Sequence, residues 1–326
     1  MLGFVKAYIK SMRLYYAFIT GIAGWLGIAY YEFTAKQHFE ASGNEGFLYK
    51  KVIILALLFL SWGINQIFND FLGIKEDRIN APQRPMVTGE LHPKKAVMTS
   101  LVLLAASFVI IYLFLEPAAI IPALLGVLLN IVYEYAKGCS ILGNLVFGLM
   151  IMMCTVVGYL ASGPLIKPYA SPTGISLLIL VCASNGLMTF YTFFKDYKGD
   201  MAVKKKTLVV KYGIEKARYI ALGAAVIPSV LCIGAFLGGF IETRANNTFV
   251  FLMVLTLFLQ LWTGFLYFRY PSGEKTYYSL STNFRACACG QAALIALFNA
   301  QLGMMLFIIT YILVGFLFNL HSNSKA

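Results

Sequence analysis

The chain has 326 residues, 60% hydrophobic and only 12% charged, with a mean hydropathy of +0.76. Soluble domains carry about a quarter charged residues, so the polar groups here are too few to coat a water-facing surface, and a lipid bilayer is the expected solvent. The formal charge of +12 calls for anionic partners. Because the basic residues sit in short segments between apolar runs, lipid headgroups and a phosphorylated substrate are expected, and nucleic acid is not.

The N-terminal stretch MLGFVKAYIKSMRLYY lacks the short apolar core and small-residue cleavage site of a secretory signal, so the first apolar run is read as a retained helix. Runs near the ~20 residues needed to cross ~30 Å of hydrocarbon fall at 14–31, 52–70, 96–115, 117–135, 141–162, 174–195, 217–240, 248–268 and 291–319. Their apolarity is continuous rather than alternating, which predicts helices and not barrel strands. The expected fold is all-α: a polytopic membrane protein of nine transmembrane helices forming one domain over residues 1–326. Only Glu116 and Pro117 separate the third and fourth runs, which predicts a tight helical hairpin. With the N-terminus in the cytoplasm, 20 of the 26 Lys and Arg fall on the cytoplasmic side, predicting an N-in, C-out orientation. The lack of a targeting segment points to the cell (inner) membrane. Segment 32–51 is mixed in charge and carries no readable constellation. The cysteines lie mostly within or beside apolar runs without metal-site spacing and read as small hydrophobes. Nothing in the chain indicates an oligomeric state.

The second run ends in Asn65, Asn69, Asp70, Gly73, Glu76 and Asp77, before Pro82 and Pro85 stop the helix. On a continuing helix Asn65, Asn69, Gly73 and Asp77 form one stripe, with Asp70 close to the same face. The sixth run ends with Asp196 and Asp200 one turn apart. Four crossings separate the two ends, so parity places both on one membrane surface. Facing carboxylates repel unless a cation lies between them. Magnesium, which takes one or two carboxylates plus substrate phosphates, fits that role, with a pyrophosphate clamped between the helix ends. Arg13, Arg78, Arg84, Lys137 and the run Lys204-Lys205-Lys206 are candidates to neutralise the remaining phosphate charge.

These residues resemble the UbiA superfamily of intramembrane prenyltransferases. The first signature reads Asn69-Asp70-Phe-Leu-Gly73-Ile-Lys-Glu-Asp77-Arg78-Ile-Asn80-Ala-Pro82-Gln-Arg84-Pro85. The second reads Asp196-Tyr-Lys-Gly199-Asp200, followed by Lys206-Thr207-Leu208. Tyr133-Glu-Tyr135-Ala-Lys137 with Gly143-Asn144 resembles the family's segment between helices four and five, and Arg13 stands where the family usually opens helix one with an arginine. The resemblance implies Mg2+-dependent ionisation of a prenyl pyrophosphate and capture of the allylic cation by a lipophilic acceptor, which is an aromatic ring, a quinone precursor or a lipid. It implies metal ligation by Asn69, Asp77, Asp196 and Asp200, with Asp70 as an additional candidate, and Asp77, Asp196 and Asp200 as catalytic. Arg13, Lys137 and Lys206 would hold phosphate, with Arg78, Arg84, Tyr133 and Asn144 beside them. Tyr15, Tyr16, Phe68, Phe71, Tyr191 and Phe194 lie close to the motifs as candidate cation-facing aromatics. Gly73 departs from the pattern, standing in place of the middle aspartate, with Asp70 and Glu76 nearest to compensate. Two alternatives remain open: a cyclase of the same fold acting on the pyrophosphate alone, and a transporter, against which the placement of charges at helix ends argues.

Overall fold

A computed structural model of the chain describes residues 2–38, 47–167, 170–273 and 275–323. The described residues are helical and contain no strand, only an isolated backbone bridge between Cys139 and Lys206. A short helix α1 (Leu2–Met12) precedes α2 (Phe18–His38). Next come α3 (Phe47–Leu72), α4 (Ile74–Asn80), α5 (Pro85–Thr88), α6 (Pro93–Phe114) and α7 (Ile120–Ala136). Helices α8 (Ile141–Ala161), α9 (Pro172–Ala202), α10 (Leu208–Ala224), α11 (Ile227–Leu237), α12 (Asn247–Arg269), α13 (Lys275–Ile295) and α14 (Ala300–Asn323) complete the bundle. Part of segment 32–51 lies outside the described residues.

Among the described residues eight helices, with α10 and α11 together counted as one, are long and apolar enough to cross a membrane, and the chain is an integral multi-pass membrane protein. Helices α6 and α7 expose rows of Leu, Val and Ile as lipid-facing walls. They form the expected hairpin, turning through Pro117–Ala119, with Glu116 held by Lys50 at 3.0 Å. Among the described residues α2 and α13, each 21 residues long, also span this thickness, so the expected nine is an approximate count. Helix α13 is invisible as an apolar run because its buried face carries Ser279, Thr282, Asn283 and Gln291. These polar side chains are buried inside the bundle, where Asn283 donates to the Met188 carbonyl at 2.9 Å. This extra passage changes the parity of the C-terminus. The Phe318 carbonyl accepts from Tyr277 Oη at 3.2 Å, and its ring lies 5.4 Å from Tyr16. The end of α14 therefore returns to the face that holds the acidic helix ends, and the expected C-out placement relative to the N-terminus is corrected.

Close packing between α2 and α8 depends on glycine. A Cβ on Gly158 would run into the Gly24 carbonyl, and one on Gly27 into the Thr155 carbonyl. Small residues let membrane helices approach at backbone distance, where van der Waals contact replaces the missing hydrophobic drive. Gly158→Val is therefore expected to lower the melting temperature of detergent-purified protein markedly, in line with overpacking costs of about 1–3 kcal/mol or more. Gly21→Ala, where a Cβ meets nothing within 4 Å, is expected to leave it unchanged.

Helix α9 positions one half of the site by its length. Ser171 caps its start, accepting from the Gly174 amide at 3.0 Å, and Pro172 occupies the first turn. Thirty-one residues rise about 46 Å, more than the ~30 Å hydrocarbon thickness. The last turns, carrying Asp196 and Asp200, thus reach the membrane surface.

Candidate active site

The first acidic end is not one continuous helix. Helix α3 stops at Leu72, and Gly73 (φ −94°, ψ 16°) breaks the rod before α4 resumes at Ile74. Asp70, 1% exposed, ends α3, and Asp77 lies in α4. The turn after α4 then carries Arg84 back to bridge both: its Nη1 lies 3.1 Å from Asp70 and also contacts Asp77. Arg13 supplies a second guanidinium to Asp70. It does so from the α1–α2 junction, where its backbone is left-handed (φ 47°) and its carbonyl accepts from Trp62 Nε1 at 3.2 Å. Such a conformation in a non-glycine residue costs of order 1–3 kcal/mol and persists where surrounding contacts enforce it.

At the second acidic end Asp196 and Asp200 share one ammonium, Lys137 Nζ, at 3.7 and 2.9 Å. Burial alone would push the Lys137 pKa down, but the two carboxylates outweigh it and hold it above its ordinary value. The loop after α9 folds onto the α7–α8 turn through Ser140 N–H to the Lys206 carbonyl at 2.9 Å and Lys206 N–H to the Gly138 carbonyl at 3.3 Å. That pairing inserts Lys205 between Glu76 and Glu134, and it contacts both.

Asn80 fastens the two ends together. Its Nδ2 donates to the Asp196 carbonyl at 3.3 Å, and its Oδ1 accepts from the Gly199 amide at 2.9 Å. A Cβ on Gly199 would overlap the Asn80 amide, which accounts for glycine at that position. The acidic ends are therefore neighbours on one face, as parity predicts. A cavity of about 170 Å³ lies between them, bordered by Asn69, Asp77, Arg84, Lys137 and Asp196, and by the rings of Tyr16, Trp62, Tyr133, Phe147 and Phe284. A second cavity of about 1160 Å³ adjoins it through Arg13, Tyr16, Asn80, Arg84 and Lys195, and continues past Lys10, Lys198 and Arg285.

Buried oxygens at the site lack donors: Asn69 Oδ1, Asp70 Oδ2 and Asp200 Oδ2 accept no hydrogen bond, although Asp200 is fully buried. Unsatisfied hard oxygens of this kind suit a divalent cation. Among the described residues no three of His, Cys, Asp and Glu form a ready-made metal cluster. An ion held here would need phosphate oxygens to complete its shell.

Several residues singled out in the sequence lie elsewhere. Arg78 and Lys206 are exposed and border neither cavity. Lys206 is engaged through its backbone, and Lys205 is the lysine of that run that enters the site. Asn144 also borders neither cavity. It fastens α8 to α9 by donating to the Gly186 carbonyl at 3.1 Å. Tyr191 packs on Tyr267 at 4.7 Å and donates to the Ala221 carbonyl, away from the acids, and Phe71 is exposed. Glu134, Trp62 and Phe284 are site residues that sequence reasoning passed over. Glu134 sits inside the Tyr133–Lys137 segment, one residue from a recognised position.

The model of the UbiA prenyltransferase family matches residues 39–287. Digeranylgeranylglyceryl phosphate synthase of Thermococcus sibiricus is 28% identical over 244 residues, covering 72% of this chain and 79% of its own. The enzyme of the same name from Sulfurisphaera tokodaii is 29% identical over 240 residues, covering 72% and 78%. A UbiA homolog from Archaeoglobus fulgidus, solved bound to DMAPP and Mg2+, superposes with a TM-score of 0.66 at 17% identity, covering 93% of this chain and 99% of that one. With the family model covering most of its length and the fold matching end to end, the chain belongs to the UbiA prenyltransferase family.

Proposed function

We propose that this protein ionises a prenyl diphosphate with the help of Mg2+ and transfers the prenyl group to a lipid acceptor that carries a phosphate of its own. The observation behind the acceptor class is the larger cavity. It opens from the acidic site yet continues along Lys10, Lys198 and Arg285, giving an amphiphilic ligand a second set of cations about its headgroup. The relatives named as digeranylgeranylglyceryl phosphate synthases favour the same chemistry.

In this reading Asn69, Asp77, Asp196 and Asp200 hold the metal, with Asp70 beside them. Arg13, Arg84 and Lys137 pass from carboxylates to phosphate oxygens when substrate enters. Bound Mg2+ stabilises charge on the departing pyrophosphate. The C–O bond to the diphosphate breaks with its electrons leaving on pyrophosphate, and an acceptor hydroxyl forms the new C–O bond and releases its proton. Rings of Tyr16, Trp62, Tyr133, Phe147 and Phe284 face the developing cation, each contributing about 0.5–2 kcal/mol. The preponderance of Lys and Arg on the face of the acidic ends supports placing that face in the cytosol.

Mass spectrometry of purified protein with Mg2+, geranylgeranyl diphosphate and three acceptor conditions tests the reading. A prenylated glyceryl phosphate lipid is expected. Product formed only with a neutral aromatic acceptor would overturn the acceptor class, and a hydrocarbon formed without acceptor would instead identify a cyclase.

A pH dependence follows from Asp77. Burial pushes its carboxyl up to about 6, against the opposing pull of Arg84. Below that value a proton competes for the oxygens that would meet the metal. Binding of Mg2+ with pyrophosphate, followed calorimetrically, is expected to weaken as the pH falls from 7.5 to 5.5, and Asp77→Asn is expected to flatten that dependence.

A further inference from the structure

We propose that Glu134, reaching in from the end of α7, is a ligand for the divalent cation of this site and occupies the space that a side chain at position 73 would otherwise fill. The inference rests on the metal-and-diphosphate reading above. Gly73 leaves a gap at the α3–α4 junction, and a Cβ built there would lie 3.4 Å from Glu134 Oε1 and 2.9 Å from the Asn69 carbonyl. The carboxylate of Glu134 thus stands against the backbone break, in the stripe that runs from Asn69 to Asp77. It borders the same cavity as Asn69, Asp77 and Asp196, and its side chain is 12% exposed.

Two further observations point to a cation there. Asn69 Oδ1, on the turn before Gly73, is buried with no donor. Lys205 is shared by Glu134 and Glu76, so two carboxylates face one ammonium and negative charge is left over on that side of the cavity. A hard divalent ion binds such leftover carboxylate and amide oxygens well. Glu134 is preferred to Glu76 because its oxygen is the one beside Gly73. The longer glutamate side chain allows a ligand to come from a neighbouring helix where Gly73 itself offers none.

The test is Mn2+ binding in the presence of inorganic pyrophosphate, read by electron paramagnetic resonance on detergent-purified full-length protein. Glu134→Gln and Asp77→Asn are each expected to weaken Mn2+ binding about tenfold or more, the range seen when groups around a metal are removed. Glu76→Gln, which removes the other partner of Lys205, is expected to change it less than about threefold. Wild-type affinity in Glu134→Gln alongside weakened binding in Asp77→Asn would overturn this inference alone and leave Glu134 as a counter-ion for Lys205. Unchanged binding in both would remove the metal site on which the inference depends. Should Glu134→Gln fail to fold, Glu134→Asp keeps the charge and shortens the reach, and weakened Mn2+ binding with an unchanged melting temperature is then the expected result.

Discussion

Asp200→Asn is expected to reduce prenyl transfer by at least about 10²–10³-fold, the range for losing one preorganised charge-stabilising group, without unfolding the protein. Asp200 is fully buried and its carboxylate meets Lys137 at 2.9 Å. Asparagine keeps the shape and can still accept from the lysine, so no cavity opens and Lys137 retains Asp196 at 3.7 Å. What disappears is one negative charge and the Oδ2 that has no donor within the protein. Asp77→Ala and Asp196→Ala are expected to be equally inactive. Turnover measured by product mass spectrometry, with gel filtration and melting temperature as controls for folding, decides the matter. Near-normal rates in folded Asp200→Asn would move the reaction to another part of the molecule.

Much of this site is legible in the linear sequence because its chemistry is periodic. Asp196 and Asp200 are one turn apart, and parity alone puts them on the face of Asp70 and Asp77. The Asn80 hydrogen bonds to the Asp196 carbonyl and the Gly199 amide bear out that neighbourhood. Hydropathy locates helices that face lipid, such as α6 and α7, because the bilayer selects their whole surface. It misses α13, whose polar side chains are buried in the bundle, Asn283 bonding to α9 and Ser279 and Thr282 to carbonyls of α13 itself. Which lysine of Lys204-Lys205-Lys206 enters the site depends on a backbone pairing with Gly138 and Ser140, which no local pattern announces. Gly73 reads as the loss of a ligand. The carboxylate that fills the space lies 61 positions later, on a helix whose rotation about its axis is set by packing.

The second large effect is expected at Arg84, and here stability and activity should separate. The guanidinium bridges Asp70 and Asp77, with its side chain 24% exposed and that of Asp70 1% exposed. Removing one partner of a buried ionic group strands the others, at a cost of about 3–5 kcal/mol, reduced here by the partial exposure of the arginine. Arg84→Gln is therefore expected to lower the melting temperature and to abolish transfer. The stability loss is expected to be smaller at pH 5 than at pH 8. Asp77 already titrates near 6 in the presence of Arg84, and without that positive charge its folded-state pKa moves further above the unfolded value. A carboxyl shifted in that direction favours the fold when protonated and disfavours it as the pH rises through its folded pKa. The double variant Arg84→Gln, Asp70→Asn is expected to recover most of the lost stability and none of the activity, because neutralising the stranded acid relieves repulsion without restoring a cation for phosphate. A double-mutant cycle of melting temperatures across pH measures this coupling. Simple additivity of the two substitutions would mean that Arg84 holds the α4 turn through packing rather than charge.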